Sequence, residues 1–120
     1  MKSVPVIIES LNAGLTVELT AVNQYFIHSK MCESWGLHKL AKHYYDESIE
    51  EMKHAEEAID RILYLDGIPE IARYDIINSG SSPEDQISFN LKMELKGVST
   101  YNQAIDVCIK NQDSGSRDLM

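Results

Sequence analysis

The stretch Glu47-Ser48-Ile49-Glu50-Glu51-Met52-Lys53-His54-Ala55 decides the fold. It lies inside residues 37–66, which no Pro or Gly interrupts. Along that segment Ala41, Tyr44, Ser48, Ala55, Ala58, Ile62 and Leu65 fall on one helical stripe. Glu51 fills the gap between Ser48 and Ala55, a position facing neighbouring helices, where an unpaired charge is costly. His54 follows three residues later, one turn on, so both side chains can reach one metal ion. A carboxylate with an imidazole suits iron or manganese better than a thiolate-rich structural zinc site.

Upstream, Leu11, Leu15, Val22, Tyr25, Ser29 and Cys32 make a second stripe, interrupted at one place by Glu18. A helix is predicted over about 5–35, from Val4-Pro5 to the stop at Trp35-Gly36. The next helix covers about 37–66 and is closed by Gly67 and Pro69. Ser82-Pro83-Glu84-Asp85 then opens a third, over about 83–112, with Ser as cap and acids at the positive end of the dipole. Its stripe is Ile87, Leu91, Val98, Tyr101, Ile105 and Cys108, interrupted by Glu94 and ending near Gln112; Gly97 marks close packing. Ser114-Gly115-Ser116-Arg117-Asp118-Leu119-Met120 reads as a cap and the first turn of a fourth helix from about 116.

The turn at Gly36 is so short that the first two helices must be antiparallel neighbours. Residues 68–82, extended, cross about 50 Å at about 3.3 Å per residue. A 30-residue helix is about 45 Å long, so this connection can run the bundle's length and leave helices two and three parallel. The expected fold is all-α: an antiparallel four-helix bundle with one long crossover, the ferritin-like arrangement, with three long helices present in one domain. Glu18 lies 18 residues before Gly36 and Glu51 lies 15 after it, a difference of about 4.5 Å along the axes. Glu94 sits at a similar depth. Three carboxylates in one buried layer call for a cation, because like charges that close cannot all stay ionised.

A net charge of −8 argues against a nucleic-acid surface, which needs clustered Lys and Arg. Cys32 and Cys108 have no paired spacing, which fits reduced thiols in a cytoplasmic protein. Met1-Lys2-Ser3-Val4-Pro5 has no apolar signal core, and no membrane span is expected. Gly-rich phosphate loops, nucleophile elbows and paired-cysteine motifs are absent from the sequence.

The chain resembles bacterioferritin across nearly its whole length. The resemblance is carried by Glu18 with Asn23-Gln24-Tyr25-Phe26, Trp35-Gly36, Glu47 to Ala55, Arg61-Ile62-Leu63, Gly67-Ile68-Pro69 and Met93-Glu94-Leu95. It implies a di-iron ferroxidase centre in which Glu18 is a terminal ligand, His54 a further ligand, and Glu51 and Glu94 bridge or flank two irons. Fe(II) would be oxidised there and moved to a mineral inside a 24-subunit shell of identical chains built from dimers. Met52, about 100° round the helix from Glu51, would ligate haem b at a subunit interface. A ferredoxin-type reductase is an implied partner.

Tyr25 sits close to the metal layer, placed to bond Glu94, to supply an electron, or simply to fill the core. His43, Asp46, Glu47 and Glu50 form an acidic stripe that is a solvated face or an inner-surface iron site. His28 and His38 read as surface residues. The family's second Glu-x-x-His, on its fourth helix, has no counterpart before Met120, so three helices are expected to leave an apolar trough and half a metal site open. The competing readings are a haem-bearing shell subunit with an impaired iron site and a rubrerythrin-type di-iron protein. The latter is expected to carry a Cys-x-x-Cys segment or an extra seam glutamate, and neither appears.

Overall fold

The computed structural model describes residues 3–111 and 113–120, and the elements are α1 (Ser3–Ser34), α2 (His38–Tyr64), α3 (Pro83–Lys110) and α4 (Ser114–Leu119). The molecule measures 53 × 22 × 21 Å, close to the length of one 32-residue helix. No strand occurs among the described residues.

Gly36 ends α1 as expected. Its φ of 79° lets Leu37 N–H reach the Cys32 carbonyl at 2.8 Å and Gly36 N–H reach Glu33 at 3.0 Å, the paired bonds of a glycine C-cap. At the end of α2 the left-handed residue is Asp66, with φ 60°, and not Gly67. Asp66 donates to Leu63 and Gly67 to Ile62, so helical pairing stops at Tyr64, short of the expected residue 66. Gly67 is needed for space: a Cβ there would lie 2.9 Å from Ile8 Cγ2. Ser82 caps α3 by accepting from Asp85 N–H at 3.1 Å, with Pro83 in the first turn. α3 ends at Lys110; its expected end at Gln112 lies outside the described residues.

The segment between α2 and α3 climbs along α1 on a ladder of buried polar side chains. Asn12 donates to Ile68 O and accepts from Glu70 N–H; Thr16 accepts from Arg73; Thr20 accepts from Asp75 N–H; Gln24 accepts from Asn78 N–H; His28 Nε2 meets Asn78 O. These residues recur every fourth position, on one face of α1. All but Thr16, whose partner is the Arg73 side chain, pair with part-buried loop backbone, which would otherwise lose its hydrogen bonds. α3 then returns down α1, through Gln24 to Asn90, Tyr25 to Glu94 and Tyr101 to Glu18. It is therefore antiparallel to α1 and parallel to α2, as the crossover length requires.

Two apolar clusters fill the bundle. One holds Ile7, Leu11, Leu15, Ala55, Ala58, Ile62 and Cys108; the other holds Ala21, Tyr25, Cys32, Ala41 and Tyr44. The expected stripe of α2 is buried from Ala41 to Ile62, and that of α1 likewise except for half-buried Val22. The stripe of α3 is buried only towards its C-terminal end, with Tyr101 and Ile105 half-buried and Cys108 fully buried. Ile87, Leu91 and Val98 are exposed, and the face of α3 that is buried carries Gln86, Asn90, Gly97, Ala104 and Cys108. α3 rests on α1 through small and polar groups, and its large apolar row is exposed. Gly97 does mark close packing, since a Cβ would stand 3.2 Å from Val17 Cγ1.

One further expectation is qualified and another is corrected. By length and composition α1 qualifies as a membrane span within Val4–Ser34, where an 18-residue stretch has mean hydropathy 1.2, but 56% of that stretch is buried inside the bundle. The fourth helix begins at Ser114 and not near 116, because Asp113 caps it by accepting from Ser116 N–H at 2.9 Å. Arg61 pins this cap, donating to Asp113 at 3.0 Å and to Ser116 at 2.9 Å.

Candidate metal centre

Between the two clusters, α1 and α2 each place acidic side chains in the seam. Glu18 is buried, 5% exposed, one turn beyond Leu15. Glu51 and His54 come from adjacent turns of α2. His54 Nδ1 lies 3.4 Å from Glu51 Oε2 and 3.6 Å from Glu18 Oε2. One ligating atom from each of the three lies within 4.8 Å of the others. Glu18 Oε2 is buried with no hydrogen-bond partner, an expensive state for a carboxylate oxygen. Burial first, then neighbouring Glu18, push the Glu51 carboxyl up to about 8, with His54 pulling it down. This donor set fits a divalent cation: its charge would relieve both the orphaned oxygen and the crowded carboxylates.

Glu94, the fourth expected ligand, is not within the three-donor group. It lines the same cavity of about 350 Å³ as Glu18, Glu51 and His54, but its carboxylate accepts from Tyr25 Oη at 2.6 Å. The reason is architectural: α3 packs on α1, and Glu94 hangs on its exposed flank. Burial, followed by the bond to Glu94, pushes the Tyr25 phenol up, so Tyr25 stays a donor. Tyr101, which belongs to the α3 stripe but had no expected role, donates to Glu18 Oε1.

Residues 8–120 match the model of the ferritin-like domain. Bacterioferritin BfrA of Mycobacterium tuberculosis (strain ATCC 25618 / H37Rv) is 42% identical over 120 residues, covering 100% of this chain and 76% of that protein. A bacterioferritin of Rhodobacter capsulatus is 40% identical over 119 residues, 99% of this chain and 74% of its own length. One from Brucella melitensis biotype 1 is 37% identical over the same shares, 99% and 74%.

The chain belongs to the bacterioferritin family.

Met52, the haem ligand implied by the likeness to bacterioferritin, is half exposed on the outer side of α2. Tyr45 and Ile49 precede it at helical spacing and are exposed too, giving an apolar strip around a soft thioether. The acidic stripe, read as a solvated face or an inner-surface iron site, is exposed at His43, Asp46 and Glu50. Lys42 pairs with Asp46 at 2.7 Å and Lys53 with Glu50 at 3.2 Å on this exposed face.

His38 is exposed as expected, but His28 is fully buried, because it is the last rung of the crossover ladder. Burial lowers its pKa, which keeps it neutral beside the Asn78 carbonyl. A signal for the ladder was present in the sequence: Asn12, Thr16, Thr20, Gln24 and His28 form a polar row at four-residue steps on an otherwise apolar helix. For Arg61 and Asp113, 52 residues apart in the chain, no local pattern exists.

Proposed function

We propose that this protein stores and detoxifies iron by oxidising Fe(II) at a ferroxidase centre in which Glu18, Glu51, His54 and Glu94 are the metal ligands and Tyr25 assists. The observation that carries this reading is the three-donor group around the unpartnered Glu18 Oε2; membership of the ferritin-like domain family supports iron as the metal. Each Fe(II) gives one electron to O₂ or peroxide, and the Fe(III) passes to a mineral. Glu94, whose carboxylate accepts from Tyr25, would leave that bond to join the other three ligands, and Tyr25 would keep its proton. We place the protein in the cytoplasm, as a subunit of a shell of identical chains, 24 in number and built from dimers, served by a ferredoxin-type reductase. Fe(II) oxidation in air, followed by absorbance, tests the reading. The expected outcome is faster oxidation by the protein than by Glu51→Ala, and equal rates would defeat it.

A second role is favoured by the exposed strip of Tyr45, Ile49 and Met52. There Met52 from each of two subunits would hold haem b, which supplies electron transfer. Met52→Leu is expected to abolish the haem absorbance of protein purified with haem supplied, while iron oxidation persists. Retained haem would exclude Met52 as its ligand.

A further inference from the structure

α1 carries Gly14 well inside its 32 residues, where glycine costs about 1 kcal/mol relative to alanine. Space explains it. A Cβ at Gly14 would stand 3.1 Å from Cε1 of Tyr101, tighter than ordinary van der Waals contact. The Tyr101 ring, carried by α3, thus lies across α1 at the height of Gly14. Its hydroxyl reaches one turn further along α1 and donates to Glu18 Oε1.

The two oxygens of this buried carboxylate are therefore in different states. Oε1 is held by the phenol, whereas Oε2 has no hydrogen-bond partner and faces His54 Nδ1 at 3.6 Å. Glu18 is otherwise a flexible side chain with freely interchangeable oxygens; one strong donor on one of them removes that freedom. Three features converge: a helix-weakening glycine, a ring that fills its place, and an orphaned oxygen aimed at two further donors.

We infer that Tyr101 is a positioning residue for metal binding, holding Glu18 by Oε1 so that Oε2 alone is presented to a divalent first-row cation shared with Glu51 and His54. The inference rests on the metal-binding reading above and deepens it. In this role Tyr101 lines the cavity beside the three donors and acts on the cation through its bond to Glu18. Residues that orient ligands in this way typically contribute about 10- to 100-fold in metal affinity.

The test is a double-mutant cycle on the whole chain with Co(II), titrated by calorimetry into the unaltered protein, Tyr101→Phe, Glu18→Gln and the double variant. Tyr101→Phe keeps the ring against Gly14, and circular dichroism checks that the helices persist. The expected result is about 10- to 100-fold weaker Co(II) binding in Tyr101→Phe, with little further loss when Glu18 is already Gln. Equal losses in both backgrounds would reveal a role in general stability and overturn the inference, as would Tyr101→Phe binding like the unaltered protein. The visible absorption of bound Co(II) needs no Glu18 variant: changed bands in Tyr101→Phe support an altered carboxylate mode, and unchanged bands overturn it. No Co(II) binding by the unaltered chain would remove the metal reading itself and this inference with it, a result distinct from a silent Tyr101→Phe.

Discussion

Glu51 has a carboxyl that burial and the adjacent Glu18 push up to about 8, against an ordinary 4.5. Between those two values the folded state holds a proton that the unfolded chain has released, so stability contributed by this group is lost as pH rises across the window. The metal-free protein is expected to melt at a lower temperature at pH 8 than at pH 5, with a shallower decline in Glu51→Gln. Thermal denaturation in chelator at both pH values checks this; identical slopes would place the effect elsewhere. Gly67 shows the same dependence on surroundings through packing. Its missing Cβ leaves room for Ile8 and Ile62, at 2.9 and 3.0 Å from where that atom would stand. Gly67→Ala is expected to destabilise by about 1–3 kcal/mol, read from urea midpoints.

At the scale of elements, the caps behave as their residue types dictate. Ser82 with Pro83, Glu84 and Asp85 is a complete start signal, and the structure uses it: Ser82 Oγ accepts from Asp85 N–H. Ser82→Ala is expected to cost about 1 kcal/mol, visible as a lowered denaturation midpoint with unchanged slope. The crossover ladder depends on partners far apart in sequence. Thr20 Oγ1 accepts the Asp75 N–H at 3.0 Å while donating to Thr16 O at 2.7 Å. Thr20→Val keeps the shape and leaves that part-buried N–H unpaired, for an expected loss of about 1–3 kcal/mol. Hydrogen exchange at Asp75 N–H should speed up in the variant; unchanged protection would show that the rung does not hold the crossover.

On the scale of the whole molecule, the outer row of α3 is an exposed apolar flank. Ile87, Leu91, Leu95 and Val98 are each about 60% exposed along α3, a row long enough to promote association. Leu91→Lys with Val98→Lys is expected to leave the melting temperature nearly unchanged, since neither side chain is buried, while light scattering at high concentration falls. A large loss of stability would mean that this face is covered in solution.

The helices, their ends and the crossover could be read from the chain because each has a local cause. Stripes at helical spacing, Gly36 in a left-handed turn, and the Ser82 cap act within a few residues of themselves. The Glu51-x-x-His54 pair and the depth of Glu18 were equally legible, because a rigid helix converts spacing directly into height and face. Which side of α3 meets α1 was not, since Gln86, Asn90 and Gly97 look less core-like than Ile87, Leu91 and Val98. Polar partners on α1 and the thinness of a glycine decide that contact, and both depend on three-dimensional neighbours. The same holds for His28, buried by the Asn78 carbonyl, for Glu94, drawn to Tyr25, and for Tyr101 on Glu18. Periodicity could place these residues on a helix; only the packed structure could give their side chains partners, because those partners lie 50 or more residues away in sequence.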